Sequence, residues 1–387
     1  MTRRQHPRQG SLEHTHVQGD DEDDIIARLA MSTAFEPGRE VLGQAIEEFG
    51  AVPVVQDLCA ARGASVGLAA LQERWDSGDW LASARTERQL CADRGIGVSV
   101  PGQPSWPTQL DDLAERAPLA LRIMGSANLR TAAARSVAMV GARSATQYGQ
   151  WVAEDMSAQL AVLGWSVVSG GAFGIDAACH HGALTVGGVS IAVSAGGVDR
   201  AIPASHSALF ERLYRGGVVV GEVPIGSHPN RHRFLIRNRV IAALSPAVVV
   251  VEAATRSGAL STAREALGMG RVVAAVPGPV TSAMSAGCHA LLRDTDSILV
   301  TSADEVIALV MPAEQKWIGG KARELTFGQA SLLDAVDASP REVGILAKLL
   351  LAGEQEVAAD AFLLERWGLI KRVANGWVRD RTRHYRG

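Results

Sequence analysis

Between residues 136 and 309 the chain repeats one pattern: a short β-branched apolar run, a glycine turn, then a helix-length segment. The runs fall at 136–140, 166–169, 189–194, 217–221, 247–252 and 271–276, with a short one at 297–300. Helix-length segments such as 148–163 and 260–267 lie between them. Apolar strands alternating with helices require a mostly parallel sheet covered on both faces. The expectation is an α/β, Rossmann-like, doubly wound domain. Such sheets bind ligands at the carboxyl ends of their strands.

The flanks read differently. Residues 1–23 are polar and aperiodic, with the acidic run Asp20-Asp21-Glu22-Asp23-Asp24, and are expected to be a disordered tail. Residues 24–92 carry Ile25, Ile26, Leu29 and Ala30, then Val41, Leu42, Ile46 and Phe49, at helical spacing. They predict a helical, SAM-like module, with Gly50 as a C-cap. The Rossmann-like domain is expected over 93–311, led by short strands at 96–100 and 119–124. A linker at 312–325 holds Pro312 and Gly319-Gly320. Residues 326–387 predict a winged helix. Leu332, Leu333, Ile345, Leu346, Leu349 and Leu350 should make its small core. Asn375-Gly376 should turn a hairpin bearing Lys371, Arg372 and Arg379.

A chain of 387 residues suits two or three domains. Its net charge of −3 means that any nucleic-acid binding must come from a local patch. Cys59, Cys91, Cys179 and Cys288 form no CxxC pair, so neither a zinc site nor a disulfide framework is indicated, and reduced buried thiols in a cytoplasm are expected. The N-terminus does not read as a signal peptide, and no apolar run reaches about 18 residues, so no membrane span is expected.

The chemistry-bearing motifs sit at strand ends. Val140-Gly141-Ala142-Arg143 closes the first strand of the repeat and sends Arg143 over the sheet. Ser169-Gly170-Gly171-Ala172-Phe173-Gly174-Ile175-Asp176 follows the second. Its glycines allow close backbone approach, Ser169 offers a hydroxyl to a phosphate oxygen, and Asp176 caps or braces the next helix. It is neither GxGxxG nor a P-loop. His180 and His181 are adjacent on that helix and cannot readily share a metal. Arg231, Arg233, Arg237 and Arg239, with His232, Phe234 and Asn238 among them, form a basic run anchored by the apolar stretch 240–244. Arginines beside an aromatic suit a single-stranded nucleic acid. Glu252 and the segment 257–265 form a further strand, turn and helix start. No Ser/His/Asp order, HExxH or locally converging carboxylate pair is present, so no catalytic group is expected.

In this order these motifs resemble the DprA/Smf family of bacterial DNA-processing proteins. VGAR at 140–143, SGGAFGIDAACH at 169–180, SIAVSAGGVDRAIP at 190–203, GEVPIGSHP at 221–229, FLIRNRVIAALS at 234–245, VVVVEAATRSGALSTAREAL at 248–267 and AAVPGPV at 274–280 carry the resemblance. The resemblance implies a cytoplasmic protein that binds and protects single-stranded DNA without cutting it, loads the RecA recombinase, and works as a homodimer through its Rossmann-like domain. It implies no cofactor and no metal. The implied DNA pocket is Arg143, Ser169, Gly170, Gly171, Gly174, Arg237, Asn238 and Arg239. The chain departs from the family's pattern at Ala142, at Ala204-Ser205-His206, at Gly221 and at His289. The alternative is a nucleotide-processing phosphoribohydrolase on a related fold, with Glu265 as its acid, although the PGGxGTxxE signature of those enzymes is absent.

Overall fold

The computed structural model describes residues 18–60, 68–311, 326–336, 339–366 and 369–379. Its centre is a nine-stranded mixed sheet. The strands are β1 (Gly97–Ser99), β2 (Leu121–Gly125), β3 (Ser136–Gly141), β4 (Ser166–Ser169), β5 (Ser190–Ser194), β6 (Val218–Gly221), β7 (Ala247–Glu252), β8 (Val272–Ala275) and β9 (Ile298–Leu299). Their spatial order is β1-β2-β6-β5-β4-β3-β7-β8-β9. From β6 to β9 all pairs are parallel, whereas β2 joins β6 and β1 joins β2 antiparallel. Every residue of β4, β5, β6 and β7 is buried, as expected of unbroken Val and Ile runs covered on both faces. The chain steps one way from β3 to β6 and the other way from β7 to β9. The switch point therefore lies between β3 and β7, where a crevice opens at the carboxyl ends. A register shift between Val140 and Gly141 marks that end, where Ala142 N–H still donates to the Glu252 carbonyl at 2.7 Å.

Helices cover both faces. An N-terminal module holds α1 (Gln18–Ala34), α2 (Glu40–Phe49), α3 (Ala51–Cys59), α4 (Ala69–Asp76) and α5 (Trp80–Asp93). The sheet carries α6 (Leu129–Ala134), α7 (Gln147–Val162), α8 (Ile175–Thr185), α9 (Ser207–Gly216), α10 (Arg231–Leu244), α11 (Ala259–Gly268), α12 (Ala286–Asp294) and α13 (Ala303–Val310). One core joins α6, α10, α11 and α12 to one face of the sheet, and another joins α7, α8 and α13 to the opposite face. The N-terminal module has its own core of Leu29, Met31, Leu42, Val54, Leu58 and Trp75.

The N-terminal module is pinned to the sheet by buried charge. Arg122 on β2 is fully buried and grips Glu87 of α5 through two bonds of 3.0 and 2.7 Å, while its Nη1 donates to the Glu222 carbonyl. Arg233 of α10 makes a second two-pronged pair, 2.8 Å on each arm, with Glu36.

After α13 come α14 (Phe327–Ala335), α15 (Val343–Leu350), α16 (Glu354–Arg366) and a hairpin of β10 (Ile370–Val373) and β11 (Gly376–Arg379). Leu332, Val336, Leu346, Val357, Leu364, Ile370 and Trp377 form a separate small core. Arg341 pairs with Trp377 as an isolated bridge.

Several sequence expectations are corrected. The α1 helix begins at Gln18, inside the stretch expected to be disordered; residues 1–17 lie outside the described residues, as does the expected linker at 312–325. The hairpin turns at Ala374 and Asn375, with Gly376 already paired to Val373. Ile345 and Leu349, about 40° apart around α15, share a flank that faces solvent, whereas Leu346 and Ala347 are the residues turned inward. Cys59 is exposed, whereas Cys91, Cys179 and Cys288 are buried free thiols.

Candidate nucleic-acid interface

A cavity of about 490 Å³ opens at the β3/β7 switch point. Its walls come from three strand-to-helix turns and from α10. The end of β3 and its turn supply Gly141 to Ser144, the turn before α8 and its first turn supply Ala172 and Asp176, and the turn into α11 supplies Arg256 to Ala259. Helix α10 contributes Phe234, Arg237 and Asn238. The amide end of α11 opens on this cavity, so the positive end of a helix dipole faces it, although the N–H groups of Ala259, Leu260 and Ser261 already bond within the turn.

Three guanidinium groups line the space. Arg143 is exposed and lies over the Phe234 ring, 4.8 Å from its centroid. Arg256 is exposed, and neither it nor Arg143 has a carboxylate partner among the described residues. Arg237 is only 6% exposed and donates from Nη1 to the Val193 carbonyl at 2.5 Å. Burial pushes Arg237 down to about 10, further lowered by Arg143 and partly offset by Asp176. It therefore stays charged at neutral pH. Asp176 is the sole acidic residue in the lining among the described residues, and burial raises its pKa. The balance of charge in the cavity favours an anion.

The glycines of the second motif make this geometry possible. A Cβ on Gly170 would lie 2.2 Å from Arg237 Nη1, so glycine leaves the room the guanidinium occupies. Gly174 has φ of +76°, and a Cβ there would lie 2.3 Å from the Ala142 carbonyl oxygen. It lets the start of α8 press against the turn that carries Arg143, where Ile175 N–H donates to the Ala142 carbonyl. Gly171, with φ of +71°, packs against Phe210. Glu252, buried at the end of β7, accepts from Thr146 N at 2.8 Å and from Thr146 Oγ1 at 2.7 Å, which fixes the start of α7.

Of the expected pocket, the structure brings Arg143, Arg237 and Asn238 to the cavity wall, with Gly170 and Gly174 shaping it from behind. Two residues are corrected. Ser169 is fully buried and its hydroxyl donates to the Met139 carbonyl at 2.7 Å, so it offers no donor to a ligand. Arg239 is fully buried and paired with Glu222 at 2.5 Å, away from the cavity. The basic run is one helix, and residues two apart on a helix point to opposite sides. It is thus divided: Arg233 goes to Glu36, Arg239 to Glu222, and Arg237 to the cavity.

Sequence reasoning missed Arg256. The signal was its place directly before the Ser257-Gly258 turn, at the mouth of a helix start. His180 is buried, bonded to Ser190 Oγ at 2.7 Å, and lowered to about 3 by burial, so it is a neutral packing residue. Glu265, the acid of the enzymatic alternative, is held by Arg116 at 3.0 and 3.1 Å and lies outside the cavity wall. Ala142, one of the expected departures, lines the cavity with a methyl group. No described helix is long and apolar enough to cross a membrane.

Comparison with known proteins agrees with this architecture. A putative DNA processing protein DprA of Mycobacterium tuberculosis is 48% identical over 237 residues, covering 59% of this chain and 61% of that protein. The match thus spans about three fifths of the relative's length. Protein Smf of Escherichia coli is 36% identical over 252 residues, covering 63% of this chain and 67% of the relative. The X-ray structure of DNA processing protein A from Streptococcus pneumoniae superposes with a TM-score of 0.62 at 28% identity, covering 74% of this chain and 97% of that one. The family model described as DNA recombination-mediator protein A matches residues 97–311, from β1 to the end of α13. Because that match takes in the whole sheet and more than half of the sequence, this chain belongs to the DNA recombination-mediator protein A family.

Proposed function

We propose that this protein binds single-stranded DNA by its backbone in the β3/β7 cavity and hands the strand to a recombinase of the RecA type. The observation that carries the reading is Arg237. A guanidinium that is almost fully buried yet charged, on the wall of an open cavity, is costly to keep unless an anion meets it there. Arg143 and Arg256 supply two more forks without carboxylate partners, and guanidinium forks grip phosphate oxygens in pairs. Phe234 beside Arg143 offers a ring face to a base. Among the described residues the cavity presents phosphate-binding forks rather than a helix shaped for a duplex groove, so the binding is expected to be indifferent to sequence.

The family's description as a recombination mediator supports the transfer role. Assembly as a homodimer through the Rossmann-like domain belongs to the same proposal. So does a winged-helix identity for the C-terminal module, whose order of helix, bridged segment, two helices and hairpin suits that fold. Ser169 and Arg239 support the site only from behind, as packing and positioning groups.

A gel-shift titration with matched single- and double-stranded oligonucleotides tests the proposal. Tight binding of the single strand, weak binding of the duplex and little sequence preference are expected. Equal affinity for both forms would sink it.

A further inference from the structure

Helix α7 leaves the cavity with an aromatic face that takes no part in the cavity wall. Its start follows the turn of Arg143 and Ser144, which line the cavity. Tyr148 is 40% exposed and donates its hydroxyl to the Pro277 carbonyl at 2.7 Å. One turn further, Trp151 is 65% exposed and makes no hydrogen bond or ring contact among the described residues. Beside Tyr148 runs the loop after β8, which holds Val280, 88% exposed, and sends Met284 into the cavity wall.

The other end of the same face meets cations. Asp155 and Gln159, one and two turns beyond Trp151, adjoin the C-terminal module. Arg366 donates to Gln159 at 2.5 Å and pairs with Asp304 of α13. The charges of Arg366 and Arg372 act on Asp155, whose pKa is nonetheless raised by burial. Lys371 and Arg372 are exposed on the hairpin. From Tyr148 to Asp155 is about 10 Å of helix. An exposed indole thus stands between the cavity arginines and the basic hairpin.

Resting on the reading of the cavity as a phosphate site, we infer that the outer face of α7 is a second part of the binding track, where Trp151 stacks on a base of the same single strand. The ligand it takes is a nucleobase of a strand whose phosphates are held on either side. Alternating cations and a ring is the arrangement by which sequence-indifferent single-strand binders work. A tryptophan left largely in water at the exit of an anion site has its apolar area uncovered until such a base arrives.

The test compares full-length protein and variants by fluorescence anisotropy on two labelled strands of equal length, oligo(dT) and an abasic strand. Trp151→Ala should weaken oligo(dT) binding about 5- to 100-fold and leave the abasic strand unchanged. Trp151→Phe should recover most of the affinity. Unchanged oligo(dT) affinity in Trp151→Ala overturns the inference. So does an equal loss on both strands, which would mean a backbone contact or a folding defect. Sedimentation supplies a further arm: if Trp151→Ala lowers the oligomeric state, the ring belongs to a contact between copies and the inference falls. A wild-type protein that holds both strands equally overturns the stacking alone, whereas one that holds neither overturns the phosphate cavity with it.

Discussion

At the scale of the residue, two arginines two positions apart do different work. Arg237 faces the cavity, while Arg239 is buried against Glu222, with Arg239 Nε close to Gly38 of the N-terminal module. Removing one member of a buried ion pair leaves the other charge without a partner, at about 3–5 kcal/mol. Arg239→Ala should therefore lose stability of that order in urea denaturation. Its single-strand affinity should stay near wild type under conditions where it is folded. Arg143→Ala should do the reverse, because its guanidinium is exposed and pairs with no carboxylate. Its stability should be unchanged and its affinity lower for every sequence. Its log–log salt slope should be flatter by roughly 0.7 for each phosphate it no longer neutralises. A folded and stable Arg239→Ala protein that fails to bind DNA would put that residue back in the pocket.

At the scale of the element, the strand-to-helix turns decide the site, and their glycines are not equivalent. At Gly174 an added Cβ meets the Ala142 and Arg143 carbonyls at 2.3 and 2.5 Å in a positive-φ conformation, so backbone must move. Gly174→Ala should cost about 1–3 kcal/mol and displace the Arg143 turn. At Gly170 the obstacle is the end of the Arg237 side chain, so Gly170→Ala should fold but bind weakly. At Gly258 nothing lies within 4 Å and the backbone is αR, so Gly258→Ala should be neutral or slightly stabilising. Urea midpoints and strand affinities for the three variants check the order. A Gly174→Ala protein as stable as wild type would show that the two turns do not press together as described.

At the scale of the whole molecule, the cavity is built within residues 140–284, while the C-terminal helices and hairpin have a core of their own. The Arg366 bonds to Gln159 and Asp304 link that module to α7 and α13. A chain ending near Pro312 should keep its circular dichroism signature of a folded α/β domain and most of its single-strand affinity. Its salt slope should fall if Lys371 and Arg372 hold phosphates in the full chain. Loss of most binding by a well-folded truncated protein would make the C-terminal module the principal DNA site.

Much of this was legible in order along the chain. Strand period, glycine turns and Val-rich runs pointed to a parallel sheet with a site at its carboxyl ends, because those signals are local and repeat. The parallel strands formed within a few residues of where their apolar runs lie, and Arg143 and Arg237 line a cavity at the carboxyl ends of those strands. What the motifs left undecided was the direction of each side chain. The run from Arg231 to Arg239 reads as a uniform basic patch until it is wound into α10, whose period sends Arg233, Arg237 and Arg239 to three different neighbours. Ser169 reads as a free hydroxyl until β3 lies beside β4 and the Met139 carbonyl accepts its hydrogen bond. Arg256 joins the site only because β7 is placed next to β3, distant in sequence and adjacent in the sheet. Local pattern determined the elements, since it is set by neighbours in the chain. Only tertiary packing decided which charges are neutralised inside the protein and which are left for a ligand, since that depends on partners brought together from distant strands.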